Sequence, residues 1–241
     1  MTIPCCFFWH LLQGPYEPMD LIEAIKTRKS IRAYLPKPVS KEILQEILTL
    51  SCQAPSGVNQ QPWEFAIASG HVLEEITKRN IELLTAGAPQ QRDYPSHDKP
   101  KDSVYRKRQV ALAVQLYQAL DIQRDDVRGR FDWLLQGAAF FGAPAAVIIY
   151  TDKALPEAGP LIDIGAVVQT LCLGALPYGL GTCIQNQGVQ YSDMLRQVLN
   201  ISENKRIVTS ISIGYPDFSH PANQIKTGRE PVEKLSSWYG F

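Results

Sequence analysis

Ala54-Pro55-Ser56-Gly57-Val58-Asn59-Gln60-Gln61-Pro62 runs directly into Trp63-Glu64-Phe65-Ala66-Ile67-Ala68. Two prolines with Ser, Gly and Asn between them make the first stretch a loop, and the apolar, aromatic-containing run after it reads as a strand. A polar loop thus sits at a strand's start. Upstream, residues 40–52 read as a helix, because Ser40 suits the N-cap, Val39 and Leu44 are spaced as a hydrophobic staple, and Ile43, Leu44, Ile47 and Leu48 share one face. Residues 20–28 form a shorter helix opened by Asp20 and Glu23. Between the two, Pro36 and Pro38 keep the chain irregular, since each lacks an N–H and restricts the residue before it.

Downstream, residues 71–84, 104–120 and 126–141 are helical by pattern, and the Pro-, Asp- and Lys-rich stretch 87–102 marks an insertion or lid, spanning about 88–130 with its helices. Residues 145–151, 180–184 and 207–213 are further strands, and 162–176 is an almost wholly apolar helix that must be buried on most sides. Strands mixed with helices and long connections indicate an α+β fold, in one domain over residues 19–241. Residues 1–18 precede the first capping signal and read either as an extension of uncertain role or as a segment packed on the surface or on a partner subunit.

The chain has 241 residues, 45% hydrophobic and 20% charged, so it can fill a sizeable core. Its 24 Lys and Arg cancel its 24 Asp and Glu, without the basic excess that holds a phosphate backbone, which argues against a nucleic-acid partner. Cys5, Cys6, Cys52, Cys172 and Cys183 form no C-x-x-C pair and no disulfide framework, and a reducing cytoplasm fits them best. Residues 4–12 are apolar but too short for a bilayer crossing and lack the flanks of a signal peptide, so no membrane association is expected.

Familiar catalytic signatures are missing. The four histidines are scattered, with no metal-ligand spacing; Gly179-Leu180-Gly181 lacks a third glycine and enters a strand instead of a helix; no P-loop or nucleophile elbow occurs. Two features remain. Arg28-Lys29-Ser30-Ile31-Arg32 sets three cations and a hydroxyl at the end of a helix, where guanidinium forks can converge on an anion, although cations suit a helix C-terminus without any ligand. The loop 55–62 offers Ser, Asn and Gln donors and acceptors that suit a planar heterocycle, or equally a solvated turn.

In this order, with Gly142-Ala143-Pro144-Ala145-Ala146-Val147, Gly179-Leu180-Gly181-Thr182-Cys183, Ile213-Gly214-Tyr215-Pro216 and Arg229-Glu230-Pro231, these segments resemble the nitroreductase family of FMN-dependent oxidoreductases. The resemblance implies a mainly antiparallel sheet flanked by helices, in an intertwined homodimer with FMN at the interface. It implies that Arg28, Ser30 and Arg229 hold the phosphate, Lys29 contributing through its backbone, and that Arg32 lies near the flavin ring. Pro55, Ser56, Gly57, Asn59 and Gln61 would come from the partner chain, and Gln185-Asn186-Gln187-Gly188 would aim a backbone N–H at flavin N5. No side chain is expected as a catalytic acid or base and no metal is expected, because the flavin carries the chemistry. The implied reaction is ping-pong: NAD(P)H reduces the flavin, and a nitroaromatic or quinone-type small-molecule acceptor reoxidises it. In the lid, Tyr94, Tyr105, Arg106 and Arg108, with Lys99, Lys101 and Lys107, either meet the acceptor or form a solvated charged helix. Same-fold flavin chemistry (dehalogenation, enone reduction, oxidation of FMN itself), a non-catalytic flavin carrier and a cofactor-free interaction module are the alternatives.

Overall fold

The computed structural model describes residues 17–94 and 99–241; the expectations for residues 1–16, for Cys5 and Cys6, and for residues 95–98 of the expected lid lie outside them. Strand β2 (Ala145–Asp152) is buried almost throughout, which is what its unbroken apolar run requires of a central strand. It lies between β1 (Glu64–Ser69) and β4 (Lys205–Gly214), and β3 (Gly181–Gln185) closes the far side, giving the order β1-β2-β4-β3 with every pairing antiparallel. Alternation divides the sheet's side chains between two cores. Ala145, Val147, Ile149, Ile211 and Ile213 pack with α2 (Lys41–Ser51) and α6 (Gly159–Gly174). Ala146, Ile148 and Ile207 pack with α3 (Gly70–Thr85) and α7 (Ser192–Leu199).

The caps act as read. Asp20 Oδ1 accepts the N–H groups of Ile22 and Glu23 at 3.0 and 3.1 Å to begin α1 (Leu21–Thr27), and Ser40 Oγ accepts that of Ile43 at 3.3 Å to begin α2. Each such cap is worth about 1 kcal/mol. The stretch expected to form a lid contributes α4 (Val104–Ala119) and α5 (Val127–Ala138). By length and composition Gly159–Tyr178 could cross a membrane, but Ile164, Val167, Leu171 and Cys172 of α6 are packed between α2 and the sheet.

Two elements differ from expectation. The helix read over 126–141 stops at Ala138, because Phe140, Phe141 and Gly142 turn left-handed at φ 54, 56 and 72° before β2 begins. Helix α7 was not foreseen. It spans only eight residues and its N-cap, Tyr191, supplies no side-chain hydrogen bond, so the usual start signal is missing.

Candidate functional site

The basic segment after α1 is laid against the sheet edge. Ser30 bridges Thr182 of β3 in parallel, and Ile31 N–H donates to Thr182 O at 2.9 Å. Gly181 permits this approach, since a Cβ there would fall 2.4 Å from Ile31 Cγ1. From the other side comes Asn223, fully buried. Its Oδ1 accepts Arg32 N–H at 2.7 Å, its Nδ2 donates to Ala33 O at 2.8 Å and Asp217 O at 2.7 Å, and its carbonyl accepts from Lys29 Nζ. Asn223 therefore fixes the segment's path, and nothing around it in the sequence announced that role. Lys29's side chain is engaged by this contact and by the ring of Phe218, 5.6 Å away.

The consequence is a cavity of about 520 Å³ in which Arg28, Lys29, Ser30 and Arg32 meet Thr227, Gly228 and Arg229 of the late segment, with Ala111, Leu112 and Gln115 of α4 as a wall. Residues about 200 positions apart in the chain thus converge on one space. The Arg229 guanidinium donates to Thr227 O, Thr227 Oγ1 and Gly228 O at 2.9–3.2 Å, so its own loop orients it. Lys226 does not line the cavity. Among the described residues, five cationic side chains and two hydroxyls against a single carboxylate, Glu230, form a donor set for a multiply charged oxyanion, and a flavin's terminal phosphate fits that chemistry.

Two buried thiols lie close to the basic segment. Burial pushes Cys172 up to about 11, against the pull of a Thr182 hydrogen bond and the Arg28 charge; burial raises Cys183 too, against Arg32 and a hydrogen bond from Ser30. Tyr34, raised well above its ordinary value by burial, donates to Ile31 O at 3.1 Å or Ser212 O at 3.2 Å. These groups are neutral supports.

The Pro55–Gln61 loop is not brought to this cavity. It stands exposed at the start of β1, with Gly57 N–H donating to Asp163 Oδ1 of α6 at 3.2 Å and Gln61 N–H to Ser56 Oγ at 2.9 Å. Val58, Asn59 and Gln61 all take left-handed backbone, at φ 46, 57 and 47°, and Val58 is 91% exposed. A β-branched residue in that region is strained, and strain of this kind collects at binding sites. At the other end of β3, Gln185 is buried, its Nε2 donating to Ser212 Oγ at 2.7 Å, and Asn186 Oδ1 accepts from Thr209 Oγ1 at 2.9 Å. Gln187 and Gly188 follow in a tight turn, Gln187–Val189.

The lid residues disperse. Arg108 turns into the cavity and pairs with Glu230 at 3.2 Å, whereas Arg106 lies on the opposite face of α4, in a separate cleft with Tyr117, Arg124 and Arg130. Tyr105 is exposed, and Tyr94 Oη donates to Glu157 O at 2.9 Å, away from both. Sequence proximity had grouped side chains that a helix sends in different directions.

A four-stranded antiparallel sheet, helices on both faces and a guanidinium-lined cavity at the sheet edge define an α+β protein equipped to bind an anionic ligand. The chain belongs to the nitroreductase family, whose model matches residues 25–215. It is 31% identical over 221 residues to the 4-nitrobenzoate reductase of Nocardioides sp. (strain LMS-CY), covering 90% of this chain and 88% of the relative. It is 32% identical over 219 residues to the nitrobenzene nitroreductase of Ectopseudomonas oleovorans, covering 90% and 95%. Among solved structures, the FMN-dependent nitroreductase NfnB from Mycobacterium smegmatis in complex with NADPH matches with a TM-score of 0.85 at 27% identity, over 91% of this chain and 100% of that one.

Proposed function

We propose that the chain is an FMN-dependent oxidoreductase that draws electrons from NAD(P)H and passes them, in a ping-pong cycle, to nitroaromatic or quinone-type acceptors. The observation that carries this reading is the convergence of Arg28, Ser30 and Arg229 on one cavity of about 520 Å³. Bound there, FMN would supply two-electron chemistry at its N5 atom. The chain's own part is to bind, orient and tune. Arg28 and Arg229 are planar forks for two phosphate oxygens each, and Ser30 adds a neutral donor. Lys29 contributes only backbone, its side chain being held by Asn223. Arg32, fixed through its own N–H by Asn223, is a cation set to stabilise negative charge on the ring, which eases reduction. The Gln185–Gly188 segment presents backbone at the far end of β3.

The loop Pro55, Ser56, Gly57, Asn59 and Gln61 completes the site from a second copy of the chain, in a homodimer. Support comes from its exposure, its strained backbone and its separation from the cavity of its own chain. The relatives named for reduction of 4-nitrobenzoate and nitrobenzene support the acceptor class. The test is an anaerobic titration of the FMN-loaded protein with NADH and with NADPH, followed by nitrobenzoates, quinones, enones and halophenols. Bleaching of the flavin by a nicotinamide and recovery with a nitroaromatic or quinone is expected. Flavin that no nicotinamide bleaches would leave a carrier, and recovery only with an enone or halophenol would assign a different acceptor.

A further inference from the structure

Helix α3 carries an amide where its pattern calls for an apolar side chain. Leu73, Ile76 and Asn80 lie on one buried stripe, and Asn80 is 0% exposed. A buried amide is unfavourable unless its hydrogen bonds are made. Asn80 Nδ2 donates to Ala138 O at 3.2 Å and to Gly188 O at 3.4 Å, while its Oδ1 has no partner among the described residues, so the side chain bonds through its NH₂. Ala138 is in the last turn of α5, where carbonyls lack an intrahelical donor. Gly188 is in the turn after β3. One side chain therefore ties the end of α5 to that turn.

Other contacts close the grip. A Cβ on Gly188 would fall 2.4 Å from Phe140 Cε1 and 2.8 Å from Ser210 Oγ, and one on Gly137 would fall 2.2 Å from Gln187 Oε1, so turn, α5 and β4 touch without spare room. Ser210 Oγ donates to Gln185 O at 2.8 Å. Phe140, fully buried against Gly188, is held at φ 54°, a conformation that bulky residues adopt only when their surroundings enforce it.

We propose that Asn80 is a positioning residue: by clamping the Gln187–Val189 turn to the end of α5, it sets the backbone that the chain offers to flavin N5. The role rests on the flavin reading given above. Asn80→Leu keeps much of the volume and removes both donors, and Ile76→Ala, one turn earlier on the same stripe, supplies destabilisation while leaving both Asn80 hydrogen bonds in place. Two readouts separate the clamp from the cofactor. Amide hydrogen exchange of the cofactor-free protein should quicken over 185–190 and at the end of α5 in Asn80→Leu but not in Ile76→Ala. In FMN-loaded protein, the affinity for sulfite, which adds to oxidised flavin at N5, should change by about five- to tenfold in Asn80→Leu only, the effect of roughly one hydrogen bond. Unaltered exchange, or sulfite affinity shifted equally in both variants, would overturn the role while leaving the flavin reading intact. Wild-type protein that takes up no FMN would overturn both.

Discussion

The thiol of Cys172 shows how local environment decides what a residue does. With its value raised to about 11 by burial, roughly one Cys172 in a thousand is thiolate at about pH 8, and the attacking species is therefore scarce as well as covered. Iodoacetamide should leave Cys172 and Cys183 unmodified in native protein at that pH and label both in urea, as read by peptide mass spectrometry; native labelling of either would show that the core around α6 and β3 opens. Their character as core thiols was legible from the apolar elements they occupy. The cationic segment 28–32 was legible too, because three cations at a helix end before two prolines have few places to go. Asn223 and Asn80 were not, since the partners of Asn223 on the basic segment, Lys29, Arg32 and Ala33, lie 190 and more residues away and those of Asn80 lie 58 and 108 away. No local pattern encodes which carbonyl will lack a donor after folding.

Among the elements, the segment that follows α3 is secured by charge at Asp93. Arg196 of α7, 4% exposed in its side chain, pairs with Asp93, with Asp193 at 3.0 Å and with Lys205 O at 2.9 Å, and Asp93 Oδ2 also accepts Ile207 N–H at 2.6 Å. Asp93→Ala leaves a buried guanidinium short of a counter-charge, and should lower unfolding free energy by about 2–4 kcal/mol in urea titration; a loss no larger than that of a surface carboxylate would mean the pair is incidental. A second charge contact joins α4 to the C-terminal segment. Lys234 at 3.3 Å and then Arg108 at 3.2 Å hold the Glu230 carboxyl below the ordinary glutamate range. A carboxyl depressed on folding stabilises above its unfolded value and loses that contribution as pH falls through the folded one. Wild type should therefore melt slightly above Glu230→Gln at neutral pH, the gap closing on acidification below the usual glutamate range; a gap independent of pH would refute the contact. Helices with side-chain caps, such as α1 and α2, were readable to within about a residue, whereas α5 ran long in the reading because nothing in Phe140-Phe141 signals a left-handed turn.

At the scale of the molecule, the sequence order of the basic segment, the polar loop and the late arginine was informative, but only folding separates them into a cavity and a loop standing apart from it. If the cavity of one chain is completed by the loop of another, damage to the two halves must complement. Arg229→Ala removes a charged fork and should weaken FMN binding by about ten- to a hundredfold, and Ser56→Ala with Asn59→Ala should weaken it through the loop. In a homodimer of either variant both sites carry the lesion. In a mixed dimer, one site joins the altered cavity to the altered loop, and the other joins a native cavity to a native loop. Co-expression with two different tags and tandem purification isolates that species, and its flavin content should recover to about one FMN per dimer, bound with wild-type affinity. A site built within a single chain predicts no recovery, because every site in the mixed dimer would keep one lesion. Flavin content near zero in the mixed dimer would thus reject the shared site even if the protein proves dimeric, since dimerisation alone does not require that one chain finish the other's pocket.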